Sequence, residues 1–174
     1  MEKNIPINSR IHSKWKSKCG RYTVTIFQSC FDKMISLSNN YYPNEIGTSL
    51  IGWYSNDGFD AYIYDIAPIS SDSQSFSNMF IRGIKDLKTF YKKLLKKFKG
   101  KIYYIGDWHS HPNGFPFPSS IDDSNQIAVS NDKKTNCPES MLLLIAGNFK
   151  SKIEIGVFVY SRLKGRIILF KDSY

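Results

Sequence analysis

Cysteine is scarce in this 174-residue chain: Cys19, Cys30 and Cys137 stand far apart, with no Cys-x-x-Cys. That argues against a disulfide framework and a thiolate zinc site, and leaves buried, inert thiols as the expected role. Long apolar runs are missing as well. Nothing approaches the roughly 18–20 apolar residues of a membrane helix. The first twenty residues are polar and basic, without the apolar core of a secretory signal. A cytoplasmic protein is expected, with no membrane partner. Acidic residues are few, 15 against 24 Lys+Arg, for a formal charge of +9. Such a balance raises a nucleic-acid reading, but no fold signature or stacking platform accompanies it. Part of the excess is local, at Lys92, Lys93, Lys96, Lys97, Lys99 and Lys101. A solvated helix face explains it, and recruitment of an acidic protein partner is the alternative.

What is present is ordinary globular material, 41% hydrophobic and 15% aromatic, at a length that suits one domain. Residues 1–20 show no clear periodicity and read as a basic lead segment, an arm or a loosely packed stretch, before a domain over 21–174. Tyr22 to Phe27 is β-branched and aromatic, a first strand. Phe31, Ile35 and Leu37 suggest a short helix ending near Asn40. Glu45 then opens a strand through Tyr54. Asn56-Asp57-Gly58 signals a turn, and Phe59 to Ile66 pairs back as a hairpin. Pro68 to Ser77 reads as a surface loop. Phe80, Ile84, Leu87, Tyr91, Leu94 or Leu95, and Phe98 recur at helical steps. They predict the longest helix of the chain, closed by Gly100, its aromatic stripe used for packing. Strands over Met141–Ala146, Ile153–Tyr160 and Gly165–Phe170 close the chain. The class is α+β, a mixed β-sheet flanked by helices.

Only three histidines occur. His12 lies in the polar start and suits a surface role. His109 and His111 follow an apolar, β-prone run, and residues two apart on a strand share a face. Two imidazoles can therefore converge on one metal ion. A Pro- and Gly-rich loop follows, then Ser119 and, three residues on, Asp122. Zinc at hydrolytic sites takes three ligands from His and carboxylate and keeps a fourth position for water. Ser119 to Asp122 also reads as a capped helix start, which is compatible with ligation because the first helical turn is rigid.

His109, Ser110, His111, Pro112, Ser119 and Asp122 match the signature of the JAB/MPN+ (JAMM) zinc metallopeptidases. Pro43-Asn44-Glu45-Ile46-Gly47, with Leu50 and Gly52, resembles that family's upstream glutamate context, with Thr48 where a second glycine is common. The Gly106-Asp107-Trp108-His109 lead-in is most similar to the stand-alone JAB peptidases of bacterial type II CBASS anti-phage operons. Asp107 stands where that branch more often has glutamate.

The resemblance implies a JAB1/MPN (cytidine deaminase-like) architecture. It implies Zn²⁺ held by His109, His111 and Asp122, with Glu45 as general base and acid and Ser119 stabilising the oxyanion. It also implies an isopeptidase cutting after the extended C-terminal tail of a conjugated protein. That protein is the operon's cyclic-nucleotide synthase (CD-NTase), joined to targets by an E1/E2-like ligase. Alternatives are a peptidase of another ubiquitin-like conjugation operon and, of a different class, a non-catalytic MPN scaffold. Trp108, Phe115 and Phe117, with Pro112, Pro116 and Pro118, form an aromatic rim for either loop packing or substrate contact.

Overall fold

The computed structural model describes residues 10–148 and 150–172. Its elements run β1 (Ile11–Ser17), β2 (Thr23–Phe27), α1 (Gln28–Tyr41), β3 (Gly47–Tyr54), β4 (Asp60–Ile66), β5 (Gln74–Phe76) and β6 (Met79–Ile81). They continue with α2 (Leu87–Phe98), β7 (Tyr103–His111), α3 (Ser120–Asn131), β8 (Glu139–Ala146), β9 (Glu154–Ser161) and β10 (Gly165–Lys171). Eight strands close a barrel in the order β1-β10-β9-β8-β7-β3-β4-β2, while β5 and β6 form a separate hairpin. Two pairings are parallel, β2 with β4 and β7 with β8, so the sheet is mixed. The α+β expectation is met.

Alternation of side chains along each strand creates an inner and an outer layer. Inside, Val24, Ile26, Leu50, Ile63, Ile105, Leu143 and Val159 form one cluster with Cys30 and Met34 of α1. Each fully buried side chain of this size contributes about 1.5–3 kcal/mol of burial free energy. Outside, Ile51, Ala67 and Ile102 lie beneath Leu87 of α2. A second outer cluster, Leu142, Leu144, Phe158 and Tyr160, belongs to β8 and β9, where α3 packs.

Four expectations change. Residues 11–17, expected within the loose lead of residues 1–20, form strand β1, paired with both β2 and β10. Its buried positions are Ser13, Trp15 and Ser17, so the alternation is real but two of its three inward residues are serines. Residues 1–9 lie outside the described residues. The hairpin β5–β6 occupies part of the expected Pro68–Ser77 loop. The helix expected from Phe80 starts at Leu87. Acceptors from the preceding loop hold the intervening chain: Asp72 accepts from the Ile84 and Lys85 amides at 3.2 Å each, and Ser73 Oγ accepts from Gly83 N at 3.0 Å. Phe80 therefore lies in β6 and Ile84 is 71% exposed. Finally, α1, at 14 residues, is longer than α2, at 12.

Candidate metal centre

Strand β7 carries the two histidines, and a bulge decides which way they point. Opposite β7, Leu50 and Ile51 of β3 are consecutive, while their partners are Gly106 and Tyr104; Ile105 is the extra residue. A bulge reverses the phase of everything beyond it. Ile105 and Trp108 consequently both face the inner core, and His109 lies beside the outward Leu144 of β8. Gly106 is at φ +146°, and a Cβ there would fall 2.1 Å from the Met141 carbonyl oxygen. Gly47 plays a second enabling role, since a Cβ on it would lie 2.6 Å from His109 Cβ. The two glycines let β3 and β8 close on either side of the histidine strand.

Asp122 arrives from α3. Ser119 is its N-cap, and the capping box is reciprocal: Ser119 Oγ accepts from Asp122 N at 3.2 Å, and Ser119 N donates to Asp122 Oδ2 at 2.8 Å. Ser119 Oγ also donates to Asp122 Oδ2 at 2.7 Å. The first turn of α3 is thus locked to the carboxylate it presents.

Donor atoms of His109, His111 and Asp122 all lie within 4.8 Å of one another. His109 Nε2 stands 3.3 Å from Asp122 Oδ1, and His111 Nε2 stands 3.8 Å from Asp122 Oδ2. The two Nε2 atoms are 2.9 Å apart. His111 Nδ1 meets the Phe115 carbonyl oxygen at 2.9 Å; as the N–H donor there, it leaves Nε2 free for a cation. Burial would raise the Asp122 carboxyl, but the hydrogen bond and charge of His109 and the two Ser119 donors bring it well below the usual carboxylate range. Burial, reinforced by His109, lowers the His111 imidazole, against the Phe115 carbonyl and Asp122. An ionised carboxylate and two convergent imidazole nitrogens are the donor set zinc prefers. The residues fit the ion.

Glu45 precedes β3 by two residues instead of opening it. Its own amide donates to the Phe76 carbonyl of β5 at 2.7 Å, and Ser75 Oγ donates to its carbonyl oxygen. The half-buried carboxyl lines the same cleft, of about 640 Å³, as His109, His111, Ser119 and Asp122. Burial pushes it up to about 7, with His109 pulling it down and Asp122 adding to the rise. A carboxyl poised there can take and return a proton at neutral pH.

The profile of prokaryotic homologs of the JAB domain matches residues 27–152. The chain belongs to the JAB-domain family. A protein of Enterobacter hormaechei subsp. hoffmannii named CD-NTase/cGAS isopeptidase is 31% identical over 134 residues, 77% of this chain and 73% of its own. One of the same name from Escherichia coli is 29% identical, over 72% of this chain and 74% of its own. In three dimensions, a solution structure of a protein from Desulfitobacterium hafniense superposes with a TM-score of 0.56 at 19% identity, covering 86% of this chain and 90% of that one. That likeness speaks for the fold.

The expected aromatic rim is divided. Trp108 is buried on the core side of β7, 1% exposed, because the bulge turns it inward. Phe115 and Phe117 are open to solvent, and Phe117 meets Phe158 edge-on at 5.7 Å. His12 stacks on Phe31 at 3.7 Å, far in sequence from the cluster. Cys30 and Cys137 are buried, and Cys19 is exposed.

Sequence reasoning missed a polar network on the cleft floor. Arg82 donates to Asp107 and, at 3.0 Å, to Ser49 Oγ. Asp107 also accepts from Tyr104 OH at 2.8 Å and from Gln126 Nε2 at 3.0 Å, and Ser140 Oγ donates to Gln126 Oε1 at 2.8 Å. The Asp107 position in the lead-in was a signal; Arg82 carried none, since it fell inside a helical stripe.

Proposed function

We propose that this JAB-family chain is a zinc-dependent isopeptidase. It hydrolyses the amide bond after the C-terminus of a ubiquitin-like-conjugated protein, and that protein is a CD-NTase of an anti-phage operon. The observation that carries the reading is the convergence of His109, His111 and Asp122 in one cleft with Glu45. The substrate assignment rests on the names of the two relatives, which are 31% and 29% identical to this chain over the aligned residues. Its E1/E2-like ligase partner and its cytoplasmic location follow from the same reading.

His109, His111 and Asp122 would hold the zinc, which would supply Lewis acidity and bring the pKa of a nearby water to about 7. The chain's own residues do the rest. Glu45 accepts a proton from the attacking water, whose oxygen bonds to the scissile carbonyl carbon. The C–N bond then breaks, and Glu45 returns the proton to the leaving amine. Ser119 Oγ–H, which donates to Asp122 Oδ2 at rest, would turn from it to hydrogen-bond the oxygen on which negative charge develops. His111 Nδ1–H, tied to the Phe115 carbonyl, fixes the imidazole orientation.

The deciding experiment fuses a CD-NTase through its C-terminus to a reporter and adds wild-type protein or Glu45→Ala. Cleavage at the junction by wild type alone, blocked by a zinc chelator, is expected. Bound zinc without cleavage would sink the substrate assignment and direct attention to ubiquitin-fold conjugates. Absence of both zinc and cleavage would leave an MPN-type scaffold.

A further inference from the structure

Away from the metal cleft, α2 leaves a second groove open. Only Leu87 of this helix is fully buried. Over the next three turns Phe90, Leu94 and Phe98 stand half-buried over Ile51 and Tyr64, leaving a groove of about 230 Å³ rimmed by Lys93 and Lys97.

Most of the charge along this helix does nothing for the helix itself. Lys88, Lys92, Lys93, Lys96, Lys97, Lys99 and Lys101 occur with no acidic residue between Leu87 and Lys101. Lys88–Lys92, Lys92–Lys96 and Lys93–Lys97 are like-charge pairs at i,i+4, which oppose helix formation. The helix C-terminus accounts for Lys96 and Lys97, the basic residues of its last turn, but not for the others. Among the described residues none of the seven lies within ion-pair distance of a carboxylate. The one carboxylate on the groove, Asp65, is already matched by Lys33 at 2.7 Å. The rim therefore presents net positive charge over an apolar floor.

We propose that this groove is a docking site for an acidic protein segment that seats an aliphatic side chain between α2 and β4. The aromatic rings favour such a segment over nucleic acid. Lys97 Nζ lies 5.1 Å from the Phe98 ring centroid, and Phe90 meets Tyr91 at 5.4 Å and 67°. Tyr64 meets Phe98 at 75°. Base stacking needs open ring faces, and these are engaged. A branched apolar side chain needs only the recess, and flanking carboxylates would reach the lysines. The recognition is that of a short linear motif with one apolar anchor and charged neighbours. It does not depend on the activity proposed for the metal centre.

The test uses a fluorescein-labelled peptide of alternating glutamate and leucine, a serine-for-leucine version, and oligo-dT of similar charge, at physiological ionic strength. The full-length protein should bind the leucine peptide, with NMR shifts confined to α2 and the adjoining residues of β3 and β4. The Lys93→Glu/Lys97→Glu variant should weaken binding roughly tenfold or more. Leu94→Lys, which fills the recess and keeps the positive charge, should weaken it as well. Both variants should remain folded, with NMR shifts of β7 and α3 unchanged and cleavage at the wild-type rate. Each should lower the thermal midpoint modestly, Leu94→Lys through lost apolar burial and Lys97→Glu through the helix C-terminus. Failure of the leucine peptide to bind, equal binding of the serine peptide, indifference to both variants, or tighter binding of oligo-dT would each overturn the proposal.

Discussion

Helices α2 and α3 are each 12 residues long and lie on the outer face of one barrel, yet they are held in opposite ways. α3 is poorly amphipathic; Ile121 and Ile127 point to solvent, and its buried residues are Gln126 and Ser130. Polar bonds fasten it at every turn. Ser119 caps it, Asp123 accepts from Arg166 at 2.9 and 2.7 Å and from Tyr160 OH, Gln126 donates to Asp107 at 3.0 Å, and Arg162 Nε donates to the Ser130 carbonyl at 2.8 Å. α2 has the clearer apolar stripe and almost none of this. Asp86, at its N-cap, is spent on Ser71 of the loop, at 3.1 and 2.8 Å, and caps nothing with its side chain. Directional bonds define a position, whereas a half-buried apolar stripe can slide. The helix that presents Asp122, the proposed metal donor, is the one built from directional bonds.

Removing that donor gives the largest contrast. Asp122→Ala should abolish stoichiometric zinc by metal analysis and lower cleavage by at least ~10³-fold. The equivalent truncation on α2, Lys92→Ala, should leave both unchanged. Zinc retained by Asp122→Ala would break the assignment of α3 as the ligand helix.

A pH experiment probes the carboxyl that faces α3 across the cleft. Glu45 sits at about 7 in the metal-free protein through burial, above its unfolded value, so the folded state holds the extra proton. Stability on this account is fully present below the unfolded pKa and is lost as pH rises to about 7. Metal-free Glu45→Gln should therefore overtake wild type in chemical denaturation as pH climbs from 5 to 8. The gap should be on the order of 1–2 kcal/mol after solvent screening, and zinc should shrink it by favouring the carboxylate. A pH-independent difference would show that Glu45 is not raised.

Next comes the fastening of α3. Asp123→Ala frees the exposed Arg166 and leaves the hydroxyl of the buried Tyr160 without its acceptor, and should cost about 1–2 kcal/mol of stability. Isothermal titration should also show zinc affinity reduced roughly tenfold, because the neighbouring ligand loses its anchorage. Loss of stability with unchanged affinity would make Asp123 merely structural.

The smallest effect has the opposite sign and belongs to α2. Lys92→Glu converts repulsion with Lys88 and Lys96 into attraction and should stabilise the protein by roughly 0.5–1 kcal/mol in thermal denaturation. No gain would mean that the lysines are already compensated.

The same contrast explains what was legible in the chain. The His109–His111 spacing, Asp122 behind its Ser119 cap, and the glutamate context around Glu45 are short-range patterns, and all five side chains line one cleft. Strand β1 was hidden because Ser13 and Ser17, small and polar, fill inward positions that apolar residues normally mark. The start of α2 is not legible locally, because Phe80 and Ile84 fit a helical stripe, while Asp72, twelve and thirteen residues away from Ile84 and Lys85, accepts from their amides and holds that segment as loop. Asp107 carried a signal, but its partners Arg82 and Gln126 did not.

By itself the sequence determined the donor types, their local spacing, the capping of α3 and the α+β class, since each depends on neighbours within a few residues. Tertiary structure alone decided that β1 and β10 close a barrel, that Ile105 is a bulge, and that Glu45 meets the histidines. Those outcomes rest on pairings between residues tens of positions apart. A one-residue bulge reverses which face a strand presents, so the direction in which His109 and His111 point is a property of the assembled sheet.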